Sequence, residues 1–292
     1  MNNKVLMSDA NYFTNNSAIN ALMDSSQRVN KKAAIKELDI IKATLKSAQI
    51  KVISVPSPKD CQDGVYTANW AFIVGKKAIL SRLPNARKKE EPYAEAVLKG
   101  LGFETIKMPE AVKAFSGQGD ALLCGEYIFC QYPYRTSKLA HKYLREFFPE
   151  KKIISLKTKP QRYFKIGPKK INPITKRLDS PTYDLDLAMA ILKTKTANNN
   201  YLIAYAPTSF IRKSRRVIKS LKNVDKIRVK KREASKYLLL NLISTGETVI
   251  LNKGSKRFIK ELHERGLKTI ELDLPELKKG GGSIRCSSLT LE

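Results

Sequence analysis

The sequence predicts an α/β fold in which repeated strand–strand–helix–strand units close a ring about one axis. Three observations predict it. Apolar residues alternate between strand-like and helix-like spacing along nearly the whole 292-residue chain. At least three copies of the unit are readable, and the remaining chain has room for two more. Two copies share wording: Lys99-Gly100-Leu101-Gly102-Phe103-Glu104-Thr105-Ile106 beside Arg265-Gly266-Leu267-Lys268-Thr269-Ile270. Repeats of this length predict a circular array rather than independent domains.

The elements follow in order. Residues 28–48 place Ile35, Leu38, Ile41 and Leu45 at helical spacing, and 50–55 then reads as a strand. Strands are expected at 65–74 and 77–81 around Gly75-Lys76, then a helix at 88–98 stopped by Gly100, then a strand at 103–108. A hairpin at 121–124 and 127–131 precedes a helix at 137–147 and a strand at 152–156. Near the end, strands at 237–243 and 248–251 flank Thr245-Gly246, followed by a helix at 255–264 and a strand at 268–272. The Pro- and Lys-rich stretch 158–181 reads as a long loop between units, so 1–292 is expected to be a single domain.

Composition narrows the function. With 42% hydrophobic residues the chain can bury a sizeable core, which argues against disorder despite a formal charge of +28. No apolar run reaches the roughly 18 residues of a membrane span, and Met1-Asn2-Asn3-Lys4 leads into no signal-peptide core. Four scattered cysteines make neither a disulfide scaffold nor a C-x-x-C zinc pair, so a reduced, cytoplasmic protein without metal or cofactor is expected. The excess charge is 40 Lys against 15 Arg, and Arg is the better phosphate reader, which argues against a nucleic-acid partner. It is also uneven: residues 151–232 hold 23 basic residues and four acids. That patch is either a solvated surface or a contact for an acidic partner.

Three stretches could carry chemistry. Gly280-Gly281-Gly282-Ser283-Ile284-Arg285-Cys286 delivers a cysteine after a flexible turn, with Arg285 beside it to favour the thiolate. A lone cysteine is otherwise commonly a small buried hydrophobe. Ser116-Gly117-Gln118-Gly119-Asp120 puts a carboxylate after a Gly-x-Gly turn, where an ordinary turn aspartate is the plainer reading. In Tyr183-Asp184-Leu185-Asp186-Leu187, two carboxylates at i and i+2 of an expected strand would face one side, a costly pairing unless a cation lies between them or one is protonated.

At these residues the sequence resembles the guanidine-modifying pentein superfamily of dimethylargininases, arginine deiminases and amidinotransferases, and most of all the dimethylargininase-like hydrolases. Five stretches match in order over nearly the whole chain. Val5-Leu6-Met7-Ser8-Asp9 with Ile19-Asn20-Ala21-Leu22-Met23 resembles the substrate-loop region, and Asp63-Gly64-Val65-Tyr66-Thr67-Ala68-Asn69 resembles the D-x-V-F-T-A-N strand. The turn before Asp120, Tyr134-Arg135-Thr136, and the glycine run before Arg285-Cys286 complete the set. The resemblance implies a five-bladed α/β propeller of ββαβ units, with a small guanidino substrate and the option of a homodimer.

The resemblance also implies a mechanism: a cysteine thiolate attacks the guanidinium carbon, expels an amine and leaves a thiouronium that water hydrolyses. Carried over, Cys286 is the nucleophile and Asp120 a guanidinium-binding carboxylate, and Asp186 matches the aspartate of the family's H-x-D motif. Asp63 and Asn69 would line the pocket, and Arg135 would hold a substrate carboxylate. Two departures stand out. Asp184 occupies the position of the catalytic histidine, and Ser116 stands where many relatives have a glutamate. His141 and His263 fall in no motif and read as solvated helix residues. Asp184 would replace histidine only with its pKa raised, a shift that Asp186 two residues away would favour. Two readings follow: a hydrolase in which Asp184 is adapted to the histidine role, or a protein that binds a guanidino compound or a protein arginine without turnover.

Overall fold

The computed structural model describes residues 1–164 and 167–291, in which fifteen strands form five three-stranded sheets. Each sheet is one ββαβ unit. In the first, β1 (Lys4–Ser8) runs parallel to β2 (Lys51–Val55), and helix α1 (Lys31–Ser47) makes the crossover. The second and third are β3 (Ala71–Val74), β4 (Lys77–Leu80), α2 (Glu90–Gly100), β5 (Glu104–Lys107), then β6 (Ala121–Cys124), β7 (Tyr127–Tyr132), α3 (Ala140–Phe147), β8 (Lys152–Lys157). The fourth is β9 (Met189–Lys193), β10 (Tyr201–Tyr205), α4 (Arg212–Ser220), β11 (Val224–Arg228). Helix α5 (Lys231–Tyr237) leads to the fifth: β12 (Ile243–Ser244), β13 (Thr248–Asn252), α6 (Lys256–His263), β14 (Lys268–Leu272). After α7 (Pro275–Lys279), β15 (Leu289–Thr290) returns to pair antiparallel with β1, so the two ends of the chain share one blade. In every sheet the first pair is antiparallel and the second parallel. This is the five-bladed α/β pentein propeller.

Local signals explain the elements. Helix α1 starts where the Asn30 side chain accepts from Ala33 N, and it buries Ala34, Leu38, Ile41 and Leu45 along one stripe. Ser255 caps α6 in the same way through Phe258 N. The shared wording marks equivalent helix ends. Phe103 N bonds to Leu98 O and Leu267 N to Leu262 O, both at 3.1 Å, with Gly102 and Gly266 at positive φ. These are the same glycine-terminated cap feeding the third strand of a blade.

Three expectations are corrected. The strand expected at 65–74 begins only at Ala71, because Thr67–Asn69 form a 3-10 turn. The Asp-x-Asp segment is not a strand either: Leu185–Leu187 form a 3-10 turn. The segment 237–243 contains the end of α5, a turn and only the first residue of β12, with Leu238 at φ 49°. All three segments are apolar because the turns themselves are buried between blades, and a short buried turn has the same periodicity as a buried strand. The stretch 158–181 is more ordered than a plain loop: bridges Arg162↔Lys169 and Ile171↔Leu178 fold it into a ribbon, of which 165 and 166 lie outside the described residues. Asn172 ties that ribbon to the N-terminal loop by donating to Ala18 O at 3.0 Å. Among the described residues, no helix is long and apolar enough to cross a membrane.

Candidate active site

The corrected segments share one task. Ahead of the inner strand of each blade lies a buried turn, and the turns or their flanks present Asn69, Asp120, Asp184 with Asp186, Asn241, and Cys286. Residues far apart in sequence therefore meet near the axis. Cys286 Sγ lies 3.2 Å from Asp186 Oδ2 and receives a hydrogen bond from Asn241 Nδ2 at 3.0 Å. Asn241 Oδ1 accepts in turn from Ser283 N at 3.0 Å and Cys286 N at 3.2 Å, fixing the loop that carries the thiol. Gly281 is required in that loop: its φ is +87°, and a Cβ there would lie 2.5 Å from Asn20 Oδ1.

Asp184 receives donors from three directions. Asn69 Nδ2 donates to Oδ2 at 2.9 Å, Ser116 Oγ donates to Oδ1 at 3.0 Å, and Arg135 Nη1 stands 3.6 Å from Oδ2. Gly119 allows this approach, since a Cβ there would meet Asn69 Nδ2 at 2.3 Å. The other side of Asn69 is held by Arg87, whose Nη1 donates to Asn69 Oδ1 at 2.8 Å. Arg87 itself forms a buried two-armed pair with Glu90, at 2.7 and 2.6 Å, and bonds the carbonyls of Asp63 and Tyr66. Arg135 lies flat on Tyr183, 4.2 Å from the ring centroid.

The comparisons with known proteins bear on the fold and the kind of protein. The family described as N,N dimethylarginine dimethylhydrolase, eukaryotic, matches residues 4–148. That span ends before Asp184, Asp186 and Cys286. The chain is 27% identical to the N(G),N(G)-dimethylarginine dimethylaminohydrolase of Mycobacterium tuberculosis, over 94% of this chain and 81% of that one. It is 26% identical to the bifunctional arginine dihydrolase/ornithine cyclodeaminase ArgZ of Synechocystis, over 98% of this chain but only 37% of that one. The chain thus spans little more than a third of that relative's length. The crystal structure of the ArgZ N-terminal domain covalently bound to a reaction intermediate has the same fold, with a TM-score of 0.84 over 99% of this chain and 97% of that one at 24% identity. The chain has the pentein fold and is similar to the dimethylargininase-like hydrolases.

In this pentein, burial sets the proton affinities of the site. Burial raises the Asp186 carboxyl, and the neighbouring Asp184 charge raises it further. Asp120 is raised for the same two reasons. Burial lifts Asp63 to about 6 against the opposing pull of Arg87. The Cys286 thiol stands well above its ordinary value through burial, then through Asp186 and Asp184, while Asn241 pulls the other way. Three buried carboxylate oxygens, Asp63 Oδ1, Asp120 Oδ2 and Asp186 Oδ1, have no protein donor.

Cys286 meets Asp186, and Asn69 and Arg135 meet Asp184, though some contacts differ from those expected. Arg285 makes no hydrogen bond to the thiol and acts on it through charge alone: its guanidinium donates to Ser288 O, Thr290 Oγ1 and Gln118 Oε1. Asn241 makes the contact with sulfur instead. His141 is not a solvated residue but is buried, with ring nitrogens against Ser155 Oγ and Gln131 O, and burial lowers its pKa to about 4. His263 is exposed on α6, against Thr269 Oγ1. Asn241, Arg87, Glu90 and Tyr183 were not singled out from sequence. Asn241 was hidden inside the segment read as a strand, whereas an Arg-x-x-Glu pair beside a helix start was a readable signal. A cavity of about 420 Å³ runs along the inner strands and reaches the back of Asp186 beside Gln118 and Arg285. Among the described residues, no group of three or more His, Cys, Asp or Glu side chains is placed to hold a metal ion.

Proposed function

We propose that this chain hydrolyses an amidine C–N bond of an arginine-like guanidino substrate, with Cys286 as the nucleophile. The observation that carries the reading is the set of buried carboxylates around Cys286, three of which have an oxygen free to accept guanidinium N–H donors. Buried charge of that kind is costly unless a cation completes it. The relatives named as arginine dihydrolase and dimethylarginine dimethylaminohydrolase support the same substrate class. Binding without turnover, the other reading of Asp184, draws no support from them.

The bound guanidinium brings a positive charge into the cluster, which lowers the pKa of both Cys286 and Asp186. The Cys286 proton passes to Asp186 Oδ2, 3.2 Å away, and the thiolate attacks the guanidinium carbon. Asp186 then returns that proton to the leaving amine, and the C–N bond breaks to give a thiouronium on Cys286. In the second step Asp186 takes a proton from the attacking water, the C–S bond breaks, and the thiolate regains a proton. The acid–base role therefore falls to Asp186. Asp184, with three donors aimed at it, acts as an acceptor that holds Asn69, Ser116 and Arg135 in place. Asp120, Asp63 and Asn69 line the guanidinium end, and Arg135 faces the substrate's carboxylate end.

The test is to incubate the chain with arginine and methylarginines, and to follow released amine and the ureido product beside Cys286→Ala. Intact mass spectrometry of a quenched reaction reads the covalent adduct on Cys286. Absence of any Cys286-dependent product from all of these guanidines would sink the proposal.

A further inference from the structure

We infer that Arg177 is a second arm for the substrate's carboxylate, so that the site selects guanidino amino acids over guanidino amines; the inference rests on the guanidine-hydrolase reading above. Arg177 lies on the ribbon between the bridge residues Ile171 and Leu178, outside every segment that carried the family resemblance. Arg177 and Arg135 line the same small cavity, of about 10 Å³, together with Ile19, Thr175, Asp179 and Tyr183.

Both arginines are under-satisfied. Arg177 Nη1 is buried without a hydrogen-bond partner, and Nη2 has one long contact, 3.4 Å to Lys113 O. Arg135 has contacts of 3.5 Å to Ile19 O and 3.6 Å to Asp184, plus its seat on Tyr183. Asp179, the acid beside them, directs Oδ1 to Ser180 N at 3.0 Å. Two guanidinium groups enclosed together repel, and burial followed by Arg135 lowers the affinity of Arg177 for its proton. A carboxylate between them would relieve both the missing hydrogen bonds and the repulsion, with the fork geometry that suits it. Charge then changes sign across the site: Asp186 and Asp184 lie on the thiol side, Arg135 stands 3.6 Å from Asp184, and Arg177 lies with Arg135 toward the ribbon. A guanidino amino acid carries the opposite charges in the matching order, whereas a guanidino amine leaves the arginines facing each other.

The test uses the full chain carrying Cys286→Ser, which binds without turnover, and titration calorimetry with L-arginine and with agmatine, its decarboxylated form. Arginine is expected to bind at least about tenfold tighter than agmatine, the worth of one charge-assisted hydrogen bond. Adding Arg177→Ala should weaken arginine by about tenfold or more and leave agmatine unchanged or tighter, and Arg177→Lys should recover part of the loss. A purely structural Arg177 would weaken both ligands alike, and that result overturns the inference. So does agmatine binding as tightly as arginine to the Cys286→Ser chain, which would leave the guanidine pocket itself standing. Failure of both ligands to bind would overturn the pocket reading and this inference together.

Discussion

Replacing Asp186 with asparagine should make Cys286 more reactive and the protein less active, an unusual pairing of effects. The side chains are nearly the same size, so the change is one of charge and proton capacity. The carboxylate sits 3.2 Å from Sγ and stands, after burial, among the forces that hold the thiol protonated. A unit charge about 4 Å away at an effective dielectric near 20 is worth about 4 kcal/mol. That corresponds to about 3 pK units. At pH 8, well below the thiol's elevated value, each unit of lowering raises the thiolate fraction about tenfold. Alkylation of Cys286 by iodoacetamide, followed by peptide mass spectrometry, should therefore quicken by at least about tenfold. Turnover should fall by about 10²–10⁴, the usual contribution of a positioned acid–base group. If alkylation and turnover fall together, Asp186 serves to raise the thiol's reactivity and the proton route is wrong. If turnover survives, another group carries the proton.

Other expectations follow from the same contacts. Asn241→Ala removes the donor to Sγ and leaves the buried Ser283 and Cys286 N–H groups unpaired, so chemical denaturation should show a loss of about 2–4 kcal/mol. Arg87→Ala leaves Glu90 charged and buried and should cost about 3–5 kcal/mol by the same measurement, with Glu90→Gln added to it recovering part of the loss. Asp63 has a folded pKa of about 6 against 3.8 unfolded, so between these values the unfolded chain sheds the proton first. Stability of the unliganded protein should therefore fall as pH rises from about 4 to about 6, and Asp63→Asn should flatten that slope in melts across the range. Ser116 and Asp184 should behave as a coupled pair, because a glutamate at 116 would set a second carboxylate against one that Ser116 Oγ now reaches at 3.0 Å. Ser116→Glu alone should destabilise, and Asp184→His should relieve that loss in a double-mutant cycle of unfolding energies.

The fold was legible because its units repeat. Gly102-Phe103 and Gly266-Leu267 end their helices with the same hydrogen bonds, so the shared wording reported shared structure. The site was less legible, and the reason is physical. A 3-10 turn of three residues buried between blades is as apolar as a strand, so Thr67–Asn69 and Leu185–Leu187 were absorbed into strands on periodicity. Where such a turn also carries a chemical signal, as with Asp184 and Asp186, the pair of carboxylates is readable in the sequence and the turn that holds them is not. Asn241 had no such signal. Its role appears only when the fifth blade's turn is seen to stand where the others stand.

The replacement at position 184 takes on a different meaning beside Ser116. The two substituted positions meet directly, Ser116 Oγ lying 3.0 Å from Asp184 Oδ1. In this chain the hydroxyl donates and the aspartate accepts, so the charge sits on the residue nearer the thiol. A glutamate at 116 would add a further buried carboxylate to Asp63, Asp120, Asp184 and Asp186, a cluster whose buried cations include Arg87 and Arg135. A serine at 116 therefore suits an aspartate at 184. Under the proposed mechanism, proton transfer falls to Asp186, the carboxyl that touches sulfur. On that proposal, the thiol–carboxylate contact of Cys286 with Asp186 carries the protons, and the carboxylates around it still suit a guanidinium.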